Sequence, residues 1–470
     1  MNILYAASEV APFSQSGGLG DVAGSLPKEL AKSGENVSVV SPLYGSVGQA
    51  WRDQMTLLMN FTVKLAWRSQ YCGIFLLQKD GVDYYFIDNE YYFKRDRPYG
   101  YDDDGERFAF FSKAVICMLL NLELQVQVIH VNDWHTALIP VYINAMYRDT
   151  PLFDRVRIVF TIHNINYQGL CNPYQLGDLL GLDGHMLPIL EFDGQLNFMK
   201  GGIVCCNALT TVSPTYAQEI QTAQFAYGLD NIIRSNAQKL TGIVNGIDTE
   251  FYNPETDTEI KSNFSALNMH GKTYDKAALE MELGLDPKPE TPIIAMVTRL
   301  IGLKGVDLVC EIFDRLMERD ARFVLLGAGE PNYIDFFERM RVKYPGRVGV
   351  YFGFNGSLAR KIYAGSDLFL MPSATEPCGL AQMIAMRYAC VPIVNPVGGL
   401  RDTVTDCRLG SGNGFLMGRY DGDDLLNTLD DALKLYADKK SWNQLRKYAA
   451  ACDNSWGKPA KQYQELYKRI

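Results

Sequence analysis

Several short apolar runs in this chain end in side chains that could do chemistry. The run ending at His130 is followed by Val-Asn-Asp-Trp-His, which supplies Asp133, Trp134 and His135. "RIVFTI" is followed by His163 and Asn164, and "IIAMVT" by Arg299, with Lys304 five residues on in a Gly-Leu-Lys-Gly turn. "LFLMPS" leads to Glu376, and "VPIVN" leads to Gly398-Gly399 at the start of another helix. Taken singly, each has a plainer reading: a structural histidine, a solvated cation, an acid that begins a helix. Together they lie at the carboxyl ends of predicted strands, the end at which open α/β sheets bind ligands. Two cations, a carboxylate and histidines there suit a charged, polyhydroxylated substrate. A leaving diphosphate needs its developing charge neutralised by a metal or by cations. The run Asp102-Asp103-Asp104 is the nearest thing to a metal motif, but it precedes "GERFAFFSKAV" and reads as the N-capping cluster of a helix. Arg299 and Lys304 are therefore the expected charge source, and no metal or cofactor is expected.

The stretch "FSQSGGLGDV", Phe13 to Val22, follows the apolar run "NILYAAS". A strand that passes through a glycine-rich turn into a helix presents free N–H groups and the positive helix end to an anion. The alternative is a tight turn that only lets a helix pack on a sheet. A Walker A loop needs Gly-Lys-Ser/Thr, and the first lysine is Lys28. A dinucleotide fingerprint needs Gly-x-Gly-x-x-Gly and an acid about 20 residues later. Gly18, Gly20 and Gly24 are one residue too long, and the second strand, "NVSVV", runs into Ser41-Pro42 without an acid. NAD is disfavoured.

These residues need two sheets to hold them. Strands are expected near residues 2–8, 36–40, 128–131, 157–162 and 208–212, with helices near 20–33 and 105–121, the alternation of a doubly wound parallel sheet. From "GIVNGID" to about Pro289 the chain is polar and irregular and reads as a connection. Strands resume at "TPIIAMVTRL", "RFVLLGAG", "VGVYFG", "DLFLMPS" and "VPIVN", and a helix is expected to begin near Gly379. The expected fold is α/β, two Rossmann-like domains facing a cleft. At 470 residues the chain has room for two large cores. A net charge of −9 argues against nucleic acid and against an anionic membrane as partners. Ten cysteines without regular spacing, Cys205 and Cys206 among them, read as reduced and mostly buried thiols. "MNILYAASEV" lacks the basic start of a signal peptide, and no run reaches membrane-spanning length, so a cytoplasmic location is expected. No feature of the sequence sets an oligomeric state.

The stretch at Phe13–Val22, "HVNDWHTALIP", "TIHNINYQG", "VSPTYAQEI", "YGLD", "GIVNGIDTEFYNP", "TRLIGLKGVD", "EPCGLAQ", "VGGLRDTV" and the tail "SWGKPAKQYQELYKRI" occur in that order. Together they resemble the bacterial glycogen synthases and plant starch synthases over essentially the whole chain. The resemblance implies the GT-B fold: an N-terminal domain over 1–245, a nucleotide-sugar domain over 246–450, and a last helix within 451–470 returning to the N-terminal domain. It implies transfer of glucose from ADP-glucose to the non-reducing 4-OH of an α-1,4-glucan, with retention by a same-face route. Arg299 and Lys304 then resemble the pair that holds the departing diphosphate. Glu376 resembles the acid beneath the glucosyl ring, and His163 the residue lying against it. Asn164 and Asn245 resemble its polar neighbours, and Cys378, Gly379 and Leu380 the residues whose N–H groups meet sugar or phosphate. Gln15, Gly17, Gly18 and Asp21 fall in the donor loop, and Phe354 matches the aromatic that stacks on the base. Asp133 and Trp134 fall on the acceptor side. Tyr92, Phe93 and Tyr99 either line that side or pack elsewhere.

The chain departs from the family pattern in places. Gln15-Ser16-Gly17-Gly18 stands where the family usually has Lys-Thr/Val-Gly-Gly, Asn395-Pro396-Val397 where an Arg and a Thr are common, and Ala381 where some members carry a hydroxyl. A neutral Gln15 gives up the charge-assisted part of a phosphate contact, about 1 kcal/mol or more. A non-catalytic glucan-binding relative, and a transferase using UDP-glucose or another acceptor, stay open as alternative readings.

Overall fold

A computed structural model describes all 470 residues, Met1–Ile470. The chain forms two compact units, Met1–Gly246 with Trp456–Ile470, and Ile247–Ser455. The second unit therefore runs past residue 450, through Ser455, before the chain rejoins the first.

The first unit is built on a nine-stranded sheet. Its order by residues is 240–242, 208–211, 157–162, 128–132, 2–6, 36–42, 82–88, 68–79 and 56–65. The first seven pair in parallel, and the strand 68–79 pairs antiparallel with both 82–88 and 56–65. The parallel strands are buried on both faces, which explains runs such as "VIHVN" with no polar alternation. The strand Asn2–Ala6 pairs with both Asn36–Pro42 and Val128–Asn132, so the strand order reverses beside it. That reversal makes the carboxyl ends of Asn2–Ala6 and Val128–Asn132 the expected ligand crevice of this sheet.

The antiparallel strands Thr56–Leu65 and Arg68–Lys79, with the parallel Val82–Asp88, are absent from the sequence reading. Their signal is local: Asp80 and Gly81 both have positive φ, 53° and 76°, in the two-residue Asp-Gly turn joining Lys79 to Val82.

The second unit carries a six-stranded parallel sheet, in the order 348–352, 322–329, 293–300, 368–371, 391–394 and 415–416. Its strand order reverses at Ile293–Leu300, which pairs with Arg322–Gly329 on one side and Leu368–Met371 on the other. A core of Ile294, Met296, Ile312, Phe313, Phe323 and Leu325 fixes one face of that sheet against the helix Val306–Met317.

The polar stretch expected to be a plain connection contains a helix, Gly271–Glu282. It hides from a hydrophobic pattern because it buries charge. The buried Lys272 donates to the carbonyls of Tyr363, Ala364 and Tyr388 at 2.7–3.1 Å, and Lys276 pairs with Asp367 at 2.8 Å. The last helix, Gly457–Arg469, belongs to the first unit, where the Tyr467 hydroxyl meets His130 Nδ1 at 2.7 Å and Gln464 donates to Glu35. No helix is long and apolar enough to cross a membrane.

Candidate functional site

In the first unit, the glycine-rich stretch forms a loop that leads into the helix Gly18–Lys32. Gly17 occupies the N-cap position with no side-chain cap, and Asp21 lies in the first turn. The loop is tied from below. Glu9, only 1% exposed, accepts from the N–H of Ser16 at 2.5 Å and from its hydroxyl at 2.7 Å. The Tyr99 hydroxyl bonds Ser16 Oγ in turn. Burial raises the pKa of Glu9, against the two bonds from Ser16. The Gln15 side chain is exposed and folds back over Gly20. Glu9 is missing from the sequence reading, although it stands just beyond the first strand, where the same rule that picked out Asp133 would have found it.

The next tip carries Asp133, a residue only 8% exposed whose backbone has φ 55°. Its Oδ1 accepts from the backbone N–H of His163 at 2.7 Å and of Asn164 at 3.3 Å. A positive φ at a non-glycine residue is strained, and here it turns the carboxyl onto the neighbouring strand tip. Burial pushes the Asp133 pKa up to about 7, despite those two N–H bonds. His163 is half-buried, and burial holds its pKa down to about 3, so the ring is neutral at ordinary pH. The Asn164 side chain accepts from the N–H of Asn166, closing a turn. Asn245 is 5% exposed, and its Oδ1 lacks a hydrogen-bond partner.

The expected aromatic lining of the acceptor side is corrected by burial. Tyr92 and Phe93 are 0% exposed and packed against Phe110, with the Tyr92 hydroxyl donating to Glu106 at 2.6 Å. Trp134 stacks on His135 with centroids 4.2 Å apart and meets Phe108 edge-on. These rings are core. Tyr99 is half-buried against His135 and Phe108 and supports the glycine-rich loop.

The acidic run also differs from its expected capping role. Asp103 occupies the N-cap position of Asp104–Asn121, but its carboxylate pairs with Arg95 at 2.7 Å, while Asp104 pairs with the buried Arg107 at 2.5 Å.

In the second unit, Glu376 is pinned at the reversal point. Its Oε2 accepts from Lys304 Nζ at 2.6 Å and from the Ser373 hydroxyl at 3.0 Å. Asn395, one of the departures, donates to the Ser373 carbonyl at 2.8 Å and so fixes this turn. Two glycines allow the approach. Gly305 has φ 69°, and a Cβ there would lie 2.0 Å from the Pro372 carbonyl oxygen. Gly398 has φ 44°, and its Cβ would lie 2.0 Å from the Glu376 carbonyl oxygen. Arg299, exposed at the end of its strand, pairs with no carboxylate. Cys378 is buried, Gly379 has φ 72°, and Leu380 is the N-cap of the helix Ala381–Arg387, two residues later than the sequence suggests. Phe354 is 93% exposed, on the turn after the strand Val348–Phe352.

The two tip clusters thus differ in chemistry. The first unit gathers a neutral histidine, a carboxyl of raised pKa and a tethered glycine-rich loop; the second gathers two cations and a clamped carboxylate. Comparisons with known proteins place both halves of the chain in known families. Residues 2–235 match the family model described as starch synthase catalytic domain, and residues 284–451 that of glycosyl transferases group 1. A glycogen synthase of Bacillus cereus (strain B4264) is 50% identical over 100% of both chains. One from Geobacillus thermodenitrificans (strain NG80-2) is 47% identical over 100% of this chain and 98% of its own. The catalytic domain of starch synthase IV from Arabidopsis thaliana, solved bound to ADP and acarbose, superimposes with a TM-score of 0.93 at 35% identity, covering 99% of this chain and 98% of its own. With full-length identity of this order and both sheets matched, the chain belongs to the glycogen and starch synthases, retaining glycosyltransferases of GT-B fold.

Proposed function

We propose that the protein transfers glucose from ADP-glucose to the non-reducing end of an α-1,4-glucan, with retention, and that the tip residues divide the work. Arg299 and Lys304 stabilise the diphosphate as it leaves, since a cation preorganised where charge develops lowers the barrier. The unengaged Arg299 guanidinium and the Lys304–Glu376 pair are the observation that carries this reading. Glu376 positions and balances charge beneath the glucosyl ring. Its Oε2 is already held by a lysine and a serine, an arrangement suited to electrostatic support more than to nucleophilic attack. The acceptor hydroxyl then enters on the face from which the diphosphate departs, and the diphosphate takes its proton.

His163 lies against the glucosyl group, and Asp133 acts through it by fixing the turn at His163 and Asn164. The uncapped start of the helix Gly18–Lys32 and the loop Gln15–Gly18 meet the phosphates. Phe354 stacks on the base. Adenine as that base is supported by the ADP held in the starch synthase IV structure, and a glucan-like acceptor by its acarbose.

The test is transfer of labelled glucose to glycogen from ADP-glucose and, in parallel, UDP-glucose. It compares the unaltered protein with Gln15→Lys and Glu376→Ala. Turnover with ADP-glucose that is lost in Glu376→Ala and gains donor affinity in Gln15→Lys is expected. Glycogen binding without turnover from either donor would refute the proposal.

A further inference from the structure

His163 is held by its ring as well as by its backbone. Its Nε2 lies 2.8 Å from Asn132 Oδ1, and the Tyr5 hydroxyl donates to the same oxygen at 2.9 Å. Asn132 sits at the end of Val128–Asn132, 0% exposed, so its amide has no water to turn towards. The orientation of that amide is fixed by its other end: Nδ2 donates to the carbonyls of Ala6 at 3.0 Å and His130 at 3.4 Å. The atom facing His163 is therefore the carbonyl oxygen, which can only accept. The ring proton of a neutral His163 must then reside on Nε2, and Nδ1 is the bare acceptor. Nδ1 makes no hydrogen bond within the protein, and the residue is half-buried at the strand tip.

We propose that Asn132 is a positioning residue that, backed by Tyr5, locks His163 in the Nε2–H tautomer, so that Nδ1 accepts a hydrogen bond from a hydroxyl of the transferred sugar. The hydrogen bond to sugar rests on the reading of His163 given above; the tautomer does not. The consequence is selective. A bare nitrogen rewards a hydroxyl that can donate, whereas a protonated one would reward any acceptor at that position. The polar neighbours agree with a neutral ring. His130 is itself occupied, its Nδ1 by Tyr467 and its Nε2 by Thr161, and Asp133 is bonded to the His163 backbone.

The test is the pair of imidazole 15N shifts of His163 in the unliganded full chain labelled at histidine, assigned by their loss in His163→Gln. A protonated Nε2 and an unprotonated Nδ1, unchanged from about pH 6 to 9, are expected, because Asn132 Oδ1 accepts from Nε2 and burial holds the ring's pKa down to about 3, well below that range. A protonated Nδ1, or exchange between tautomers, overturns the proposal whatever the activity. Asn132→Asp places a carboxylate against Nε2 and is expected to give a doubly protonated ring and kcat/KM lower by about tenfold or more. Combined with His163→Gln, it should cost little beyond His163→Gln alone. Equal losses in both backgrounds would make Asn132 a packing residue and refute its role through His163. Unaltered transfer by His163→Gln would instead overturn the placement of His163 against the sugar, with the tautomer standing on its spectrum. The unaltered chain decides the tautomer even if Asn132→Asp does not fold.

Discussion

Replacing Asp133 by asparagine should make the protein more resistant to unfolding at pH 8 than at pH 5, relative to the unaltered chain. Asp133 is buried, and its pKa rises from 3.8 to about 7 because burial disfavours the charged form. The folded state therefore keeps a proton that the unfolded chain gives up from about pH 4 upwards. The favourable contribution is complete below the unfolded pKa and is lost as pH rises towards 7. Between pH 5 and 8 the unfolded carboxyl is ionised throughout, while the folded one ionises only over the last unit. At 1.36 kcal/mol per pH unit the difference comes to roughly 3 kcal/mol. The amide introduced by Asp133→Asn would keep an oxygen to accept from His163 and Asn164 and would have no such titration. Differential scanning calorimetry of both proteins at pH 5 and pH 8 should show the Tm gap between them changing by roughly 5 °C in favour of the variant at pH 8, for a unit of this size. Histidines 130, 135 and 163, all held near pKa 3 by burial, cancel in the comparison because both proteins carry them. A Tm gap independent of pH would refute the argument that Asp133 is protonated in the folded state.

Phe354→Ala should raise the KM for the nucleotide-sugar about tenfold with little change in kcat, because stacking on a base is worth about 1–3 kcal/mol and this ring does no core packing. Gly305→Ala should cost more than Gly302→Ala in both stability and kcat, since only the first would drive a Cβ into the Pro372 carbonyl at a positive φ; thermal melts and initial rates separate the two. Glu9→Gln should keep the fold and leave glycogen binding unchanged. It should raise the donor KM several-fold, because a neutral amide holds Ser16 less strongly than a carboxylate does. An unchanged donor KM would remove Glu9 from the loop's support.

The sequence shows most clearly where one rule suffices. Strands buried on both faces, such as Ile293–Leu300 and Leu368–Met371, are unbroken apolar runs, and the residues at and just beyond their ends bring Arg299 and Glu376 to inspection. Aromatic type alone misleads. Tyr92 and Phe354 look alike as candidates for stacking, yet one is sealed by Phe110 and Glu106 while the other projects into solvent. That difference comes from packing partners outside the local stretch, 14 and 18 residues along the chain from Tyr92. The helix Gly271–Glu282 is illegible for a related reason: its inward face carries Lys272 and Lys276, whose burial is tolerable only because carbonyls and Asp367 wait for them across gaps of 91 to 116 residues.

The two strand reversals carry opposite electrostatics, which fits the division of work proposed for them. At the first, burial acts against the charged form of each group, raising the pKa of Glu9 and Asp133 and lowering that of His163. Neutral groups with fixed tautomers discriminate among hydroxyls by direction, donor against acceptor, which full charges do poorly. At the second, Lys304 and Glu376 keep a short ion pair, and Arg299 stands unengaged beside the same strand ends. An ion pair of this kind holds its lysine in place, so that little reorganisation is needed when a diphosphate gains charge. Removing Glu376 should therefore do two things at once: strip the support beneath the sugar, and free Lys304 to bind the ground-state diphosphate more tightly. Glu376→Gln is expected to lower kcat by about a hundredfold or more while lowering the KM for the donor, the signature of an interaction spent on the transition state. A fall in kcat accompanied by a rise in KM would mean that Glu376 chiefly binds the donor, and the electrostatic role assigned to it would be wrong.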